Sequence, residues 1–463
     1  MAKAKKKNKK RSGPPQALVR LSQVMIVKNE ERNIEKALSW AKGIAFEQIV
    51  VDTGSTDGTV ELAKKLGARV EYFEWINDFG AAKNYAIEQA SGNWIAFLDA
   101  DEYFNPPDVK KLMQILKFIQ SNPEERAKWD VINCPWANVN EEGKVYSVYE
   151  QERIFKNIPS IRYVGRIHEY LSTSVERIYR AADISIVHTG YTDTSLAETQ
   201  KAQRNIDLLR IEQKERPDDG NVMRYLADAI KALGGEDNYT EAMKLYEQAL
   251  IPEHNAAPGM RRDSYESLMQ LYLHKKVDLD KTEALCRAGL DEFNGDMDFE
   301  YYLGMTLNRK GEYNEALRVL KSAEDKLLNS KAIDEGAVIT AKPMKLFSEM
   351  FLVAHNLKDS EAIIRYGIMV LAEDKRKLAI LAQFMLTLGQ NGVPDDEIIK
   401  ILSNVYDMNR QGDLLLIARV AKEVKAYEFA KRILEMAQAI APLDIPEDAL
   451  TPTNQESNAE SNA

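Results

Sequence analysis

Cysteine is scarce in this sequence, whose 463 residues include 2 cysteines, Cys134 and Cys286. Their small number and wide separation exclude a disulfide-stapled scaffold and a cysteine-rich metal motif, and they fit a reducing compartment. Long apolar runs are also lacking, since none approaches the roughly 18 residues of a transmembrane helix. A basic stretch opens the sequence, but the apolar segment of a secretory signal does not follow it. We therefore expect a cytoplasmic protein without a transmembrane segment.

Two glycine-rich phosphate-binding motifs are absent as well. The sequence contains neither Gly-x-Gly-x-x-Gly nor Gly-Lys-Ser/Thr, which argues against a dinucleotide-dependent dehydrogenase and a P-loop nucleotide triphosphatase. Nucleic acid is not expected as a partner, because the formal net charge is −10. Seven lysines and arginines nevertheless stand within residues 3–11. We predict a solubilising disordered tail there, with contact to acidic lipid or nucleic acid as the alternative.

What the sequence does contain begins with a regular alternation of strands and helices. Short apolar strands are predicted at residues 23–27, 48–51, 69–73 and 95–98, with helices between them, the last of these at 78–89. Strands that alternate with helices at this spacing indicate a parallel α/β sheet. Ligands of such sheets bind beyond the carboxyl ends of the strands.

Polar residues follow three of these strands at the ends where a ligand would bind. They are Asn29 and Glu30, then Asp52, then the pair Asp99 and Asp101. Carboxylates two residues apart after a buried strand suit a hard divalent cation, because protein and phosphate oxygens can complete its shell. Asp-x-Asp turns are also common on surfaces, so the agreement of several strand ends is the stronger signal. An enzyme that uses a nucleotide sugar combines a nucleotide with such a metal.

Four motifs resemble those of the family 2 glycosyltransferases of the GT-A fold, in that family's order and spacing, between about residues 21 and 192. They are Met25-Ile-Val-Lys-Asn-Glu-Glu31, Val51-Asp-Thr-Gly-Ser-Thr-Asp-Gly-Thr59, Ala82-Lys-Asn84 and Leu98-Asp-Ala-Asp-Glu102. The resemblance implies a Rossmann-like α/β GT-A domain, a donor of the UDP-sugar type, Mn²⁺ or Mg²⁺, and inversion at the anomeric carbon.

The resemblance also implies roles for single residues. Asp52 would hydrogen-bond the base, and the Asn-Glu pair after the first strand would line the nucleoside pocket. Asp101 would be the main metal ligand, with Asp99 nearer the ribose or the sugar. Lys83 stands where the family often has an arginine on the diphosphate, and lysine keeps the charge without the bidentate fork. The predicted donor-binding residues are Val27, Asn29, Glu30, Asp52, Lys83, Asp99, Ala100 and Asp101.

The second half of the same domain contains candidates for the chemistry itself. An inverting transferase needs a base for the acceptor proton and positive charge for the departing diphosphate. Glu169 suits the role of the base and His188 that of a metal ligand, while His168 rivals either of them. Which of Glu169 and His168 is the base stays open, since a strand histidine is often only structural. Arg153 is predicted to be a solvated charge at a strand edge, with an approach to the donor or the acceptor as the alternative.

From about residue 200 the pattern changes to paired helices. Glu-Ala or Phe-Ala positions recur at Ala242, Ala284, Ala316, Ala362 and Ala430. The 32 residues from Ala284 to Ala316 and the 68 from Ala362 to Ala430 are close to one and two tetratricopeptide periods of about 34 residues. We therefore predict an all-α tetratricopeptide-like solenoid.

The segment Gly-x-Ile-His-Glu, followed by His-x-Gly-Tyr, resembles a bacterial subgroup of the family that carries such repeats. That subgroup is similar to the S-glycosyltransferases of glycocin-type bacteriocins and to some flagellin-modifying enzymes. The concave face of a solenoid commonly holds an extended peptide, so we expect a protein or peptide acceptor there. A dimerisation or purely structural role of the repeats is the alternative, and a homodimer is compatible with the sequence.

The predicted organisation is a basic disordered tail (1–20), a GT-A glycosyltransferase domain (21–195), a repeat domain (196–445) and a disordered tail (446–463). The leading hypothesis is an inverting, metal-dependent transferase that moves a hexosyl or N-acetylhexosaminyl group to a protein or peptide, such as a flagellin or a bacteriocin. The second has a cell-surface saccharide or lipid-linked sugar as acceptor. The third, a non-catalytic scaffold that senses nucleotide sugar, is disfavoured by the intact acidic motifs.

Overall fold

The computed structural model describes residues 18–140, 142–190, 195–329 and 338–442 of the chain. The tail predicted at 446–463, and residues 1–17 of the tail predicted at 1–20, lie outside the described residues.

Contacts between Cα atoms divide the chain into two compact units. The first runs to Leu245 and includes Glu253–Asn255, and the second holds Tyr246–Pro252 and the chain from Ala256 onward. In the part of the chain that the structure describes, all strands belong to the first unit and the second unit is helical. The division falls inside the third helix after the last strand.

The described residues of the first unit form a nine-stranded sheet and a separate two-stranded sheet. The strands are β1 Leu21–Val27, β2 Glu47–Asp52, β3 Arg69–Tyr72, β4 Trp94–Phe97, β5 Glu102–Phe104, β6 Val131–Val139, β7 Val145–Lys156, β8 Tyr163–Val164, β9 Tyr170–Leu171, β10 Ile178–Arg180 and β11 Ile186–His188. The order in the large sheet is β3-β2-β1-β4-β7-β6-β11-β5, with β10 also paired to β6, and β8 pairs with β9.

The half of the sheet that the sequence predicts is confirmed. β1 runs parallel to β2 and β4, and β2 runs parallel to β3. The connecting helices are α1 Ile34–Ser39, α2 Thr59–Lys65 and α3 Phe79–Glu88. Both faces of β4 are buried, because Ile95 and Phe97 enter one apolar core and Ala96 and Leu98 enter another. Burial on both faces is typical of parallel strands covered by helices.

The other half of the sheet is largely antiparallel. β7 pairs antiparallel with β4 and with β6, and β11 lies parallel to β6 and antiparallel to β5. Helices α4 Pro106–Ser121 and α5 Pro123–Lys128 connect β5 to β6. No helix separates β6 from β7, so these strands form a hairpin, which is an antiparallel connection. The predicted Rossmann-like α/β class is therefore confirmed, with a mixed sheet instead of one that is parallel throughout.

The first helices after the sheet are attached to it by charged hydrogen bonds. They are α6 Ser195–Glu215, α7 Gly220–Ala232 and α8 Glu236–Ala249. Arg166, which follows β8, donates its Nε–H to Glu215 Oε2 at 2.8 Å and its backbone N–H to Glu212 Oε2 at 3.2 Å. The last turn of α6 is thus fixed against the segment that joins β8 to β9.

The helices that follow form the predicted repeat array. They are α9 Pro258–Lys275, α10 Leu279–Glu292, α11 Met297–Lys310, α12 Tyr313–Asn329, α13 Val338–Ala341, α14 Met344–Leu357, α15 Ser360–Glu373, α16 Leu378–Gln390, α17 Asp395–Leu402, α18 Gln411–Glu423 and α19 Tyr427–Ile440. Neighbouring helices pack in pairs, for example α11 with α12 and α18 with α19. One apolar core continues from Tyr265 to Ala437. Among the described helices none is long and apolar enough to cross a bilayer.

One predicted repeat position is wrong. Ala242, Ala316 and Ala430 are buried, but Ala284 is exposed, and the buried residues of α10 are Thr282, Cys286 and Gly289. Thr282 precedes Ala316 by 34 residues, which is one tetratricopeptide period. The Glu-Ala dipeptide predicted the wrong position because burial depends on which face of α10 meets the neighbouring helices. The dipeptide lies outside that face.

Replacing Gly367 with alanine is expected to lower the free energy of unfolding by about 1–3 kcal/mol, because it overpacks the core. A Cβ there would lie 2.5 Å from Phe384 Cδ2 and 3.1 Å from Phe351 Cε2. The matched control is Gly389→Ala in α16, where nothing lies within 4 Å and a gain of about 0.5–1 kcal/mol is expected. Denaturant titration of the full chain measures both, and equal stability of the two variants would contradict the packing.

Candidate active site

A tight turn after β4 fixes the acidic residues at the carboxyl edge of the sheet. The backbone N–H of Asp99 donates to Glu102 Oε2 at 2.9 Å, and the N–H of Glu102 donates to the Asp99 carbonyl at 3.0 Å. The carbonyl of Asp101, between them, accepts from the backbone N–H and the hydroxyl of Thr189, both at 3.1 Å. The turn is thereby tied to the end of β11.

The loops after β1 and β2 are tied to each other at the same edge. Asp52 is buried, and its carboxylate accepts the backbone N–H groups of Gly54 at 3.0 Å and Ser55 at 3.1 Å. Asn29 has a left-handed backbone with φ 59°, which asparagine tolerates. Its Oδ1 accepts the N–H of Thr56 at 2.8 Å, and its own N–H donates to Ser55 Oγ at 2.9 Å. Asp52 and Asn29 therefore hold the shape of the loops predicted to bind the nucleoside.

Lys83 lies inside the domain, where it joins two of the candidate acidic residues. Its Nζ is 2.7 Å from Glu169 Oε1 and 3.5 Å from Asp99 Oδ1, and its side chain is 4% exposed. Burial acts to lower the Lys83 pKa, but these two carboxylates outweigh it and hold the pKa above its ordinary value. Burial likewise acts to raise the Asp99 pKa, but Lys83 and Arg153 lower it to about 2. Lys83 and Asp99 are both charged near neutral pH.

Carboxylates from three segments concentrate at this edge. The pKa of Glu30 is raised first by burial and then by the negative charges of Asp101, Asp99 and Asp57. Asn33 Nδ2–H donates to Glu30 Oε2 at 2.8 Å and acts in the opposite direction. Carboxylates that repel one another in this way create a potential that favours a bound cation.

His188, at the end of β11, faces Asp101. His188 Nε2 lies 3.1 Å from Asp101 Oδ2, and His188 Nδ1 lies 2.7 Å from Asn138 Oδ1. Asn138 donates its Nδ2–H to Ser147 Oγ at 2.8 Å, so its Oδ1 accepts the proton on His188 Nδ1. With the proton on Nδ1, the Nε2 lone pair points at a carboxylate oxygen. A metal cation bound at Nε2 makes that arrangement favourable.

Gly190 leaves a space open beside the side chains of Asp101 and His188. A Cβ at Gly190 would lie 2.1 Å from Asp101 Oδ2 and 2.7 Å from His188 Nε2. The ring of His188 is further held by stacking on Trp136, with 4.2 Å between centroids and 28° between planes. A carboxylate oxygen, an imidazole nitrogen and a cradle that only glycine leaves free are a donor set that fits a divalent cation.

His168 lies on the side of the site that faces α7. Its ring stacks on Tyr225 at 4.2 Å between centroids and 9° between planes, and its backbone has a left-handed φ of 52°. Both rings line a pocket of about 460 Å³, together with Gly190 and residues of α6 and α7, including Lys201. The pocket therefore extends from His168, which precedes Glu169 in the sequence, to Gly190, which lies beside His188.

The amino-terminal part of the chain is similar to a known protein family. Residues 22–122 match the model of glycosyl transferase family 2. This segment of the chain is similar to glycosyl transferase family 2.

Two curated proteins and one solved structure are similar to larger parts of the chain. A TPR repeat-containing protein of Synechococcus elongatus is 28% identical over 312 residues, which are 65% of this chain and 72% of that protein. The SPbeta prophage-derived glycosyltransferase SunS of Bacillus subtilis is 27% identical over 229 residues, which are 48% of this chain and 51% of SunS. The crystal structure of S. aureus TarS in complex with UDP-GlcNAc is 18% identical, with a TM-score of 0.32, over 63% of this chain and 92% of that chain. The chain thus spans about half the length of SunS.

The prediction that Arg153 is a solvated strand-edge charge is wrong. In the glycosyltransferase domain its Nη2 lies 2.6 Å from Glu102 Oε1 and 2.8 Å from Asp99 Oδ2, and its side chain is 12% exposed. Glu102 is buried and also accepts the Nε1–H of Trp136 at 2.8 Å. Burial raises the Glu102 pKa, although Arg153 lowers it. Arg153 therefore anchors both acidic residues that close the turn after β4.

Replacing Arg153 with methionine is expected to lower the free energy of unfolding by about 3–5 kcal/mol near neutral pH, because Glu102 keeps a buried charge without its cation. The cost should shrink from about pH 7.5 to about pH 5. Without Arg153, the folded-state pKa of Glu102 lies further above its unfolded value. The variant therefore regains stability as the pH falls and Glu102 binds a proton. Denaturant titration at both pH values measures this.

The matched control is Arg69→Met, since the guanidinium of Arg69 is 47% exposed and reaches Glu47 and Glu71 at 3.7 and 3.5 Å. We expect a change below about 1 kcal/mol there. A loss in Arg153→Met that does not depend on pH would contradict the role given to Glu102.

The structure brings most of the predicted residues to one edge of the sheet, in two contacting groups. Lys83 joins Asp99 and Glu169, and Asp101 faces His188. The remaining predictions fall in the adjoining loops, or in the apolar core beneath them for Val27 and Ala100. The sequence did not single out Asn138 and Trp136, because their strand, β6, was not predicted.

Proposed function

We propose that the chain is an inverting, metal-dependent glycosyltransferase that moves a sugar from a UDP-sugar-type donor to a side chain of a protein or peptide. The family 2 domain supplies the reaction class. The observation that supports metal dependence is that Asp101 Oδ2 and His188 Nε2 lie 3.1 Å apart, beside a space that Gly190 leaves open. Both lie at the sheet edge where ligands of parallel α/β folds bind.

Asp101 and His188 would hold the cation, Mn²⁺ or Mg²⁺. Among the described residues no three His, Cys, Asp or Glu side chains converge on one point. An incomplete protein shell suits an ion that shares its coordination with phosphate oxygens, as Mg²⁺ commonly does. When bound, the cation supplies electrostatic stabilisation of the diphosphate that leaves.

The loops after β1 and β2 bind the nucleoside in this proposal. The Asp52 carboxylate is oriented by two backbone N–H groups of its own loop and retains lone pairs that can accept from the base. Asn29 and Glu30 form the opposite wall. Asp99, held by Arg153 and Lys83, presents a fixed carboxylate that can accept hydroxyl groups of the ribose or the sugar.

Glu169 is the proposed base. Lys83 holds Glu169 Oε1 at 2.7 Å, and the Glu169 side chain is 14% exposed, so the carboxylate is oriented and still reachable. The acceptor atom attacks the anomeric carbon opposite the bond that breaks to the diphosphate, and its proton passes to Glu169 Oε2. Lys83 fixes the base and Asp99 relative to each other, which is a positioning role instead of the diphosphate contact that the resemblance implies.

The acceptor side chain would enter through the pocket lined by His168 and Tyr225. This pocket of about 460 Å³ has the cradle residue Gly190 on one side and α6 and α7 on the other. Its size suits one amino-acid side chain with its flanking backbone, and its walls come partly from helices that precede the repeats of the second unit. That arrangement supports a peptide acceptor, because a groove bordered by helices can hold an extended chain.

The experiment that tests the function measures sugar transfer directly. The full-length chain is incubated with Mn²⁺ and a panel of UDP-sugars, and the release of UDP is followed with and without candidate acceptor proteins. Mass spectrometry then identifies the modified residue. UDP release that protein acceptors increase supports the proposal, whereas an increase only with saccharide or lipid-linked acceptors would replace it with the second hypothesis. No UDP release with any donor would favour a nucleotide-sugar sensor.

Replacing Tyr225 with serine is expected to raise the KM for the protein acceptor about tenfold, because it removes the aromatic wall that stacks on His168. Hydrolysis of the donor without acceptor should stay within about twofold of the wild type, since Tyr225 lies on the acceptor side. Tyr146→Ser, at a side chain that is 55% exposed on β7, is the matched control. Equal KM values in the two variants would place the acceptor elsewhere.

A further inference from the structure

A second cavity lies on the glycosyltransferase unit and is lined by cations. It has a volume of about 740 Å³, and its walls come from the end of α1, the loop that follows, β5 and one face of α4. Four lysines line it, namely Lys36, Lys42, Lys110 and Lys117. All four are exposed. The proposed transfer reaction uses none of them.

Within the described residues, the structure pairs none of these four lysines with an acidic side chain. No acidic side chain is among the described residues that line the cavity. In the described part of the chain none of the four forms a salt bridge, although Lys36 Nζ lies 4.1 Å above the ring of Tyr103. A cluster of like charges without local counter-charge is unexpected in a chain of net charge −10, and it creates a positive potential that attracts anions.

Exposed apolar side chains accompany the lysines. Ile44 lines the cavity and is 42% exposed, Phe46 follows it closely at 53%, and Phe118, next to Lys117 on α4, is 51% exposed. The guanidinium of Arg20 lies 5.3 Å above the ring of Phe46. The basic residues at 3–11 precede Arg20 by a short segment. An exposed apolar side chain thus stands in the cavity lining at Ile44, and two more, Phe46 and Phe118, stand beside lining residues in the sequence.

This surface is separate from the candidate active site. The chain leaves Asp101 through β5, which runs antiparallel to β11. His188, at the active-site end of β11, pairs with Glu102 at the start of β5, whereas Phe104 at the other end of β5 lines the cavity. The cavity therefore lies toward the opposite end of β5 from the Asp101–His188 pair.

We propose that this surface docks the protein on an anionic phospholipid membrane. The four lysines would contact lipid phosphates, and Ile44, Phe46 and Phe118 would enter the headgroup region. The exposed apolar side chains favour a lipid surface over nucleic acid or a free phosphate, since neither of those gains from burying them. Docking of this kind is peripheral and does not depend on the proposed sugar transfer.

Cosedimentation of the full-length chain with vesicles tests the proposal. Binding is expected to phosphatidylcholine vesicles that contain about 30% phosphatidylglycerol, and to weaken strongly between about 0.1 and about 0.5 M salt. Changing Lys36, Lys42, Lys110 and Lys117 together to glutamine should lower the partition coefficient about tenfold or more. Ile44→Ser should lower it severalfold at a constant charge.

The matched control changes Lys65, Lys144, Lys214 and Lys244 to glutamine. These lysines are exposed, belong to the same unit and lie outside the cavity, so the net charge changes equally. Melting temperatures of all variants show whether they fold. Equal losses in the two quadruple variants, or unchanged binding in both, would overturn the proposal.

Three further outcomes would also overturn it. Equal binding to vesicles of phosphatidylcholine alone would remove the need for an anion. Binding of pyrophosphate or single-stranded DNA that depends on the four lysines, without vesicle binding, would assign the cavity to a soluble anion or to nucleic acid. Vesicle binding that is lost when the basic residues of 3–11 become glutamine, but not when the four lysines do, would assign docking to that segment alone.

Discussion

Replacing Asp101 with asparagine is expected to abolish sugar transfer and to weaken Mn²⁺ binding in the presence of UDP. Asp101 supplies the carboxylate that faces His188 across the Gly190 cradle. Losing a cation that stabilises a departing diphosphate costs several kcal/mol in the transition state, which corresponds to a fall in turnover of about three orders of magnitude or more. His188→Asn should have the same direction of effect on both measurements.

Gly190→Ala tests the cradle without removing either ligand. Its methyl group would occupy the space beside Asp101 Oδ2 and His188 Nε2, so the variant should fail to bind Mn²⁺ while Asp101 and His188 remain. Electron paramagnetic resonance of free Mn²⁺ and calorimetry with UDP measure binding independently of turnover. Asp183→Asn, at an exposed carboxylate, is the control. Full activity in EDTA, or in Asp101→Asn, would refute metal dependence.

Replacing Glu169 with glutamine is expected to lower turnover about 100-fold or more, with donor binding nearly unchanged. Glutamine keeps the shape of the side chain but cannot take the acceptor proton. Lys83 retains Asp99 at 3.5 Å as a partner, so the variant should fold. Steady-state turnover and the Kd for UDP separate loss of the base from loss of the donor site.

Two further variants make the assignment of the base decisive. Glu176→Gln, at an exposed carboxylate in the same unit, should behave like the wild type. His168→Ala should alter acceptor KM more than turnover, because its ring lies in the pocket with Tyr225. If His168→Ala abolishes turnover while Glu169→Gln retains it, His168 is the base and Glu169 is only the partner of Lys83.

The sequence predicts the first four strands and the residues that follow them because two local signals agree. Short continuous apolar runs locate β1, β2 and β4, and the connecting helices require parallel strands. The carboxyl ends of parallel strands share one edge, so the placement of Asn29, Asp52 and Asp99 there follows from topology alone. Nothing about this inference depends on contacts between distant segments.

The parts that the sequence did not predict depend on such contacts. Asn138, which fixes the ring of His188, lies 50 residues away in sequence, on a strand whose neighbours are chosen by tertiary pairing. The sequence did not predict that the charges of Lys83 and Arg153 are buried, because burial of a cation is acceptable only when carboxylates arrive from elsewhere. Glu169 and Glu102 are those carboxylates, and their approach is set by the folded chain.

The hydrogen bond between Arg166 and Glu215 limits where such proteins can recombine segments of their chains. A recombination made at the end of β11 would separate Arg166 from the acidic residues of α6 that it contacts. An exchange made between α8 and α9 would leave those partners together, because the two compact units divide near there. Chimaeras that keep α6 and α7 with the sheet should therefore express and fold. In evolution, a new repeat array can be joined at this point without changing the residues of the candidate active site.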